Sequence, residues 1–167
     1  MVKIVTDSSA LILLSKCNLI AKLCDSYEVF APSSVISEVA SDEIIETYPD
    51  AALVAELVSK RKIKIKNPME EKHKLPLTLH QGEKDALFLA LKLRKAVFAT
   101  DDKKAIKAAK FINLPFIITP KIIVDLFKIK KISYKEARKS IEKLSVIGRY
   151  SPDIIAKALL ALSEEIK

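Results

Sequence analysis

LHQGEKDALFLALKLRKAVFATDD, residues 79–102, decides the fold. It reads as a helix, a tight turn and a short buried strand, with an acid at each end. Thr78-Leu79-His80-Gln81 matches a capping box, with Thr78 at the N-cap and Gln81 three residues on. The helix is therefore expected to run from there to about Lys95. Glu83, Ala86, Leu87 and Ala90 recur on one stripe at the helical spacing. That stripe puts Glu83 on the core-facing side, whereas Asp85 shares a face with Lys92 and is expected in solvent. A carboxylate on a buried face is costly unless a partner charge or metal accompanies it. AVFAT (96–100) predicts a buried strand that ends at Asp101 and Asp102.

The flanking segments repeat this alternation. VKIVTD (2–7) predicts a buried strand with Asp7 at its carboxyl end, and Ser8 and Ser9 start a helix over about 9–24. YEVFA (27–31) is a second strand, and Pro32 fits the first turn of a helix over 32–42. Val35, Ile36 and Val39 form the buried side of that helix, with Glu38 among them. A polar link leads to a helix from Pro49 to about residue 61. KIKIK (62–66) predicts an extended edge segment with Ile63 and Ile65 inward and lysines outward. Residues 67–77, with Pro68 and Pro76, read as a loop. KKAIKAAKFI is helical, LPFII (114–118) is a strand, and Thr119-Pro120 starts another helix, with Thr119 as the N-cap. Strands alternating with helices imply an α/β fold with a mainly parallel sheet and helices on both faces.

The remainder is helical. Ser133-Tyr134-Lys135-Glu136 is a second capping box, Gly148 ends that helix, and Ser151-Pro152 opens the last. Ile154, Ala158, Leu162 and Ile166 recur every four residues. The expected organisation is a sheet domain at 1–130 and a helical hairpin at 131–167, packed on that domain or on a partner.

The chain has 167 residues, enough for one domain with a real core, and half of them are hydrophobic, which excludes disorder. No apolar run approaches the ~20 residues of a membrane-spanning helix. ALILL is too short, and Asp7 stands where a signal peptide would be basic, so a cytoplasmic location with no membrane partner is expected. Cys17 and Cys24 read as buried small side chains without a disulfide. Lys and Arg number 29 against 21 acids, a formal charge of +8. The excess favours polyanionic partners, although lysine-rich chains also occur for thermal stability. Gly82 and Gly148 are the only glycines, and neither makes a phosphate-cradling loop, so dinucleotide and P-loop readings fail. His80 and His73 are too few for a zinc site.

Ligands of open parallel sheets bind beyond the carboxyl ends of strands. Asp7 and Asp101 occupy such ends, and Glu38 and Glu83 lie on helices that enter from the same region. Clustered carboxylates repel unless a cation sits among them. Oxygen-only donors select Mg²⁺ or Mn²⁺, ions suited to hydrolysing phosphodiesters. Taken singly, Asp7, Asp101 and Asp102 also read as helix caps, and Glu38 as a surface charge. An acid-pocket phosphotransfer protein also places acids at strand ends, but Asp7-Ser8-Ser9 lacks its paired Asp-x-Asp.

With TDSSALI, VISEVA, GEKDALFLA and ATDD in order, the chain resembles the PIN-domain superfamily, and within it the VapC-like ribonuclease branch. The resemblance implies a three-layer α/β/α sandwich with a C-terminal helical hairpin. It implies Asp7, Glu38, Glu83 and Asp101 as catalytic metal ligands, with Asp102 as a further acid beside them. Ser9, Lys103 and Lys104 are expected to meet RNA. The implied activity is a Mg²⁺- or Mn²⁺-dependent endoribonuclease, the toxin of a toxin–antitoxin pair, dimeric and held by an antitoxin. The alternative is an inactive PIN-like module that binds RNA or protein. Glu83 stands where many members carry Asp, and the tail exceeds that of minimal toxins.

Overall fold

KIVT forms β1 (Lys3–Thr6), the central strand of a five-stranded sheet. The computed structural model describes residues 1–69, 74–75 and 78–166. From β1 the chain passes through α1 (Ser8–Lys16) and α2 (Ile20–Ser26) to β2 (Glu28–Ala31). It continues through α3 (Ser33–Ala40), α4 (Asp42–Thr47) and α5 (Pro49–Ser59) to β3 (Ile63–Ile65). Then come α6 (Gln81–Lys92), β4 (Ala96–Ala99), α7 (Lys103–Phe111) and β5 (Phe116–Ile117). α8 (Thr119–Lys128), α9 (Tyr134–Ile147) and α10 (Pro152–Glu164) complete the chain.

The strand order is β3-β2-β1-β4-β5, and every neighbouring pair is parallel. Strands buried on both faces need nearly continuous apolar runs. Ile4, Val5, Val29, Ala31, Phe98 and Ala99 meet that need, all of them buried. Helices flank the sheet to give the expected α/β/α sandwich. The chain leaves β1 towards β2 and β3 on one side, then returns to β4 and β5 on the other. Such a reversal opens a crevice beyond the carboxyl ends of the central strands. Asp7 follows β1, and Asp101 and Asp102 follow β4, so topology alone delivers three acids there. The Asp7 backbone N–H donates to the Ala99 carbonyl at 3.1 Å and joins the two strand ends.

Several boundaries differ from expectation. The helix expected over 9–24 is broken at Asn18, whose φ of 56° ends α1. Pro32 is the N-cap of α3 rather than part of its first turn. The polar link carries α4. Ile63 is buried but Ile65 is 48% exposed. Ile65 lies at the carboxyl end of an edge strand and pairs only with Ala31. Its lysine neighbours Lys62 and Lys64 bind Asp25 and Glu28 across to the adjoining elements. α6 starts at Gln81, because Glu83 accepts the His80 backbone N–H at 3.0 Å and moves the cap from Thr78 to His80. Thr119 lies inside α8, with Ile118 at the N-cap. The Ser133–Glu136 capping box forms as expected. Of the loop expected over 67–77, residues 70–73, which include His73, and residues 76–77, which include Pro76, lie outside the described residues.

The tail is packed on the sheet domain. α9 and α10 pack on α8 and on each other. Ala137, Ile141, Leu144, Ala158 and Leu162 belong to the same buried cluster as the strands. The hydrophobic core therefore runs across residue 130 without interruption. Cys17 and Cys24 are free and buried, and burial pushes the Cys24 thiol up to about 12. Among the described residues no helix is long and apolar enough to cross a membrane.

Candidate active site

The acids of the crevice fall into an inner pair and an outer trio. Asp7 belongs to the inner pair and has no exposed surface. It caps α1: its Oδ1 accepts the Ala10 N–H at 3.0 Å and the Ser9 hydroxyl at 2.7 Å. Its Oδ2 accepts the Thr100 hydroxyl. Burial pushes its pKa up to about 6, against the pull of those donors, and nearby Asp101 adds to the rise. Asp101 is the other inner acid. Its Oδ1 accepts the Thr119 N–H at 2.9 Å and the Tyr150 hydroxyl, and its Oδ2 accepts the Thr119 hydroxyl at 2.5 Å. Burial raises its pKa as well.

Ser9 bridges the pair. Its hydroxyl proton goes to Asp7, and its oxygen accepts the Asp101 backbone N–H at 2.9 Å. The group expected to meet RNA thus sits inside the scaffold of the acids. Thr100 has the matching role, because its oxygen accepts the Asp102 N–H at 3.2 Å while its proton goes to Asp7.

Glu38, Glu83 and Asp102 form the outer trio. Burial raises the Glu83 pKa, and the negative charges of Asp102 and Glu38 raise it further. Each of the three keeps one oxygen that, among the described residues, accepts no protein hydrogen bond. In Glu83 and Glu38 the other oxygen accepts the His80 N–H and the Ser8 hydroxyl. In Asp102, Oδ1 caps α7 through the N–H groups of Lys104 and Ala105, at 2.8 and 2.9 Å. Glu38 is exposed, yet its carboxylate rests on Gly82 at the start of α6. A Cβ on Gly82 would stand 2.7 Å from Glu38 Oε1, so only glycine admits that approach. Among the described residues, no ion pair reaches any of the five acids.

Nor, among the described residues, do three His, Cys, Asp or Glu side chains form a ready-made metal cage. The donor chemistry still suits a hard divalent cation: all oxygen, with Asp102 and Glu38 repelling Glu83 and only the nearby His80 opposing them. Lys103 and Lys104 are exposed at the start of α7, beside Asp102. Asp85 is not solvated as expected. It accepts the Ser34 hydroxyl and the Gln81 side-chain amide, both at 2.6 Å, and ties α3 to α6. A groove of about 230 Å³ opens from Glu38 along Ile12, Lys16, Ile44, Tyr48 and Asp50.

Sequence reasoning named the acids but not their holders: Gly82, Thr100, Thr119 and Tyr150. Gly82 left a signal, as one of only two glycines and the one beside Glu83. Tyr150 stands in the Gly148-Arg149-Tyr150-Ser151-Pro152 turn, but its partner lies 49 residues away and no spacing links the two.

A helix-flanked parallel sheet with carboxylates gathered where its strand order reverses is a nuclease-type α/β fold. The chain belongs to the PIN-domain family: the family described as "DUF3368: PIN domain" matches residues 3–165. No curated protein matches the chain.

Proposed function

We propose that this PIN domain is a Mg²⁺- or Mn²⁺-dependent endoribonuclease of VapC-like type. The supporting observation is the outer trio: the charges of Asp102 and Glu38 both bear on Glu83, and among the described residues each of the three keeps an oxygen that accepts no protein hydrogen bond. In this reading Glu38, Glu83 and Asp102 hold the ion, with Asp7 beneath them. Ser8 and Gly82 orient Glu38, while Ser9 and Thr100 orient Asp7. The chemistry supplied by a bound ion is polarisation of a phosphate oxygen and activation of water. Lys103, Lys104 and the α7 N-terminus face the phosphate backbone. The groove beside Glu38 offers the half-exposed Tyr48 ring to an unpaired base.

The test is cleavage of single-stranded RNA in Mn²⁺ by wild type, Asp7→Asn, Glu83→Gln and Asp102→Asn. Loss in all three variants supports the proposal, and equal activity in all four proteins ends it. Asp101→Asn separates the two aspartates, since it should retain more Mn²⁺ affinity than Asp102→Asn. The toxin role rests on the resemblance. Growth arrest on induction, relieved by Asp7→Asn, tests it.

A second reading is a PIN fold that binds RNA or protein without cutting. It is favoured by the absence, among the described residues, of a ready-made metal cage. Calorimetric titration with Mn²⁺ decides between them. Heat that vanishes in Glu83→Gln supports the nuclease, and no heat in wild type supports the idle module.

A further inference from the structure

The C-terminal helices reach the acid crevice through one turn, Gly148-Arg149-Tyr150. Gly148 ends α9 with an ordinary φ of −92°, so its conformation does not demand glycine. Space does: a Cβ there would stand 2.2 Å from Tyr150 Cε2 and 2.6 Å from Cδ2. The missing side chain lets the tyrosine ring fold back over the turn and point its hydroxyl inward. That hydroxyl donates to Asp101 Oδ1. From Asp101 the connection continues within the main domain. The Asp101 N–H donates to Ser9 at 2.9 Å, and Ser9 donates to Asp7 at 2.7 Å. The tail is anchored separately at the far end of α1, where Lys143 donates to the Lys16 carbonyl and the Cys17 thiol to the Ser140 carbonyl. Neither anchor requires a phenol at position 150.

We propose that Tyr150 is a positioning residue for the metal centre, carried into the crevice by the tail. Its hydroxyl holds Asp101 against Thr119, and this fixes the segment whose backbone orients Ser9 and, through Ser9, the Asp7 carboxylate. The tail is then part of the site, and a chain cut after α8 would keep the five crevice acids but hold Asp7 loosely. The inference rests on the nuclease reading only in taking Asp7 to belong to a divalent-cation site.

Tyr150→Phe keeps the ring over Gly148 and removes one oxygen. Mn²⁺ is titrated into the full chain and free Mn²⁺ is followed by electron paramagnetic resonance, without RNA. Thermal unfolding is recorded in chelator. Direct hydrogen-bond partners of metal ligands typically carry ~10–100-fold in affinity. Tyr150 acts further out, through Asp101 and Ser9, so Tyr150→Phe is expected below that range, roughly 3–5-fold weaker than wild type. Ser133→Ala is the control: it removes the α9 cap, far from the acids in the hydrogen-bond network, and should lower the melting temperature with wild-type Mn²⁺ affinity. Wild-type affinity in Tyr150→Phe overturns the inference, whatever its melting temperature. So does an equal affinity loss in Ser133→Ala, which would reduce the effect to general loosening. A wild-type chain that binds no Mn²⁺ overturns both this inference and the nuclease reading. Binding without RNA cleavage removes the nuclease alone.

Discussion

Among the described residues, Asp7 is the one acid with no surface in water, and that isolation has a measurable consequence. Its folded pKa of about 6 lies above its ordinary value of 3.8. Between those two values the folded state binds more protons than the unfolded chain, so stability falls as pH rises through that window. A displacement of about two units corresponds to ~3 kcal/mol at neutral pH. Asp7→Asn removes the buried charge. The metal-free variant should therefore be about 1–3 kcal/mol more stable than wild type at pH 7, with the gain gone near pH 4 and Mn²⁺ binding lost at both. Urea unfolding at the two pH values checks this, and a destabilised variant at pH 7 would refute it. Gly82→Ala separates function from stability in another way. The added methyl pushes only the flexible end of Glu38, while alanine favours the helix by up to ~1 kcal/mol over glycine. The melting temperature should hold or rise as Mn²⁺ affinity falls. The five acids were legible because strand ends and helical stripes expose them to pattern reading. Their division into inner and outer groups was not, because Thr119 and Tyr150 reach Asp101 from later segments.

Helix ends in this chain share a solution that its composition hides. α1, α5, α7 and α8 are each followed by a residue of positive φ: Asn18, Arg61, Asn113 and Lys130. In each case two backbone bonds close the end, as with Lys130 N–H to Phe127 O at 2.9 Å and Lys131 N–H to Leu126 O at 2.9 Å. That is the Schellman arrangement, which usually employs glycine. Left-handed backbone strains a non-glycine residue by roughly 1–2 kcal/mol. Arg61→Gly and Lys130→Gly should each stabilise the fold by ~0.5–1 kcal/mol after glycine's added unfolded-state entropy. Calorimetry should show a rise of a few degrees in each. The strands and the tail caps could be read from buried runs and from Ser133 and Glu136. The break at residue 18 could not, because Lys16-Cys17-Asn18-Leu19 contains neither glycine nor proline. α4 escaped notice because six polar-rich residues give too short a period to register.

At the scale of the whole molecule, charge and sheet geometry set what can approach. The net charge of +8 predicts salt-sensitive RNA binding, with each neutralised phosphate on a single strand adding about 0.7 to the slope of log affinity against log salt. Replacing Lys103 and Lys104 together by alanine should flatten that slope by roughly 1.4. An unchanged slope would move the strand's path away from α7. The ends of the sheet limit a different kind of visitor. β5 is two residues long, and β3 is three residues long with Lys64 engaged by Glu28. Neither margin presents enough unpaired backbone for a guest polypeptide to hydrogen-bond alongside and lengthen the ladder. Any polypeptide that docked here would have to engage side chains on the helical flanks, where substitutions leave the strands beneath undisturbed.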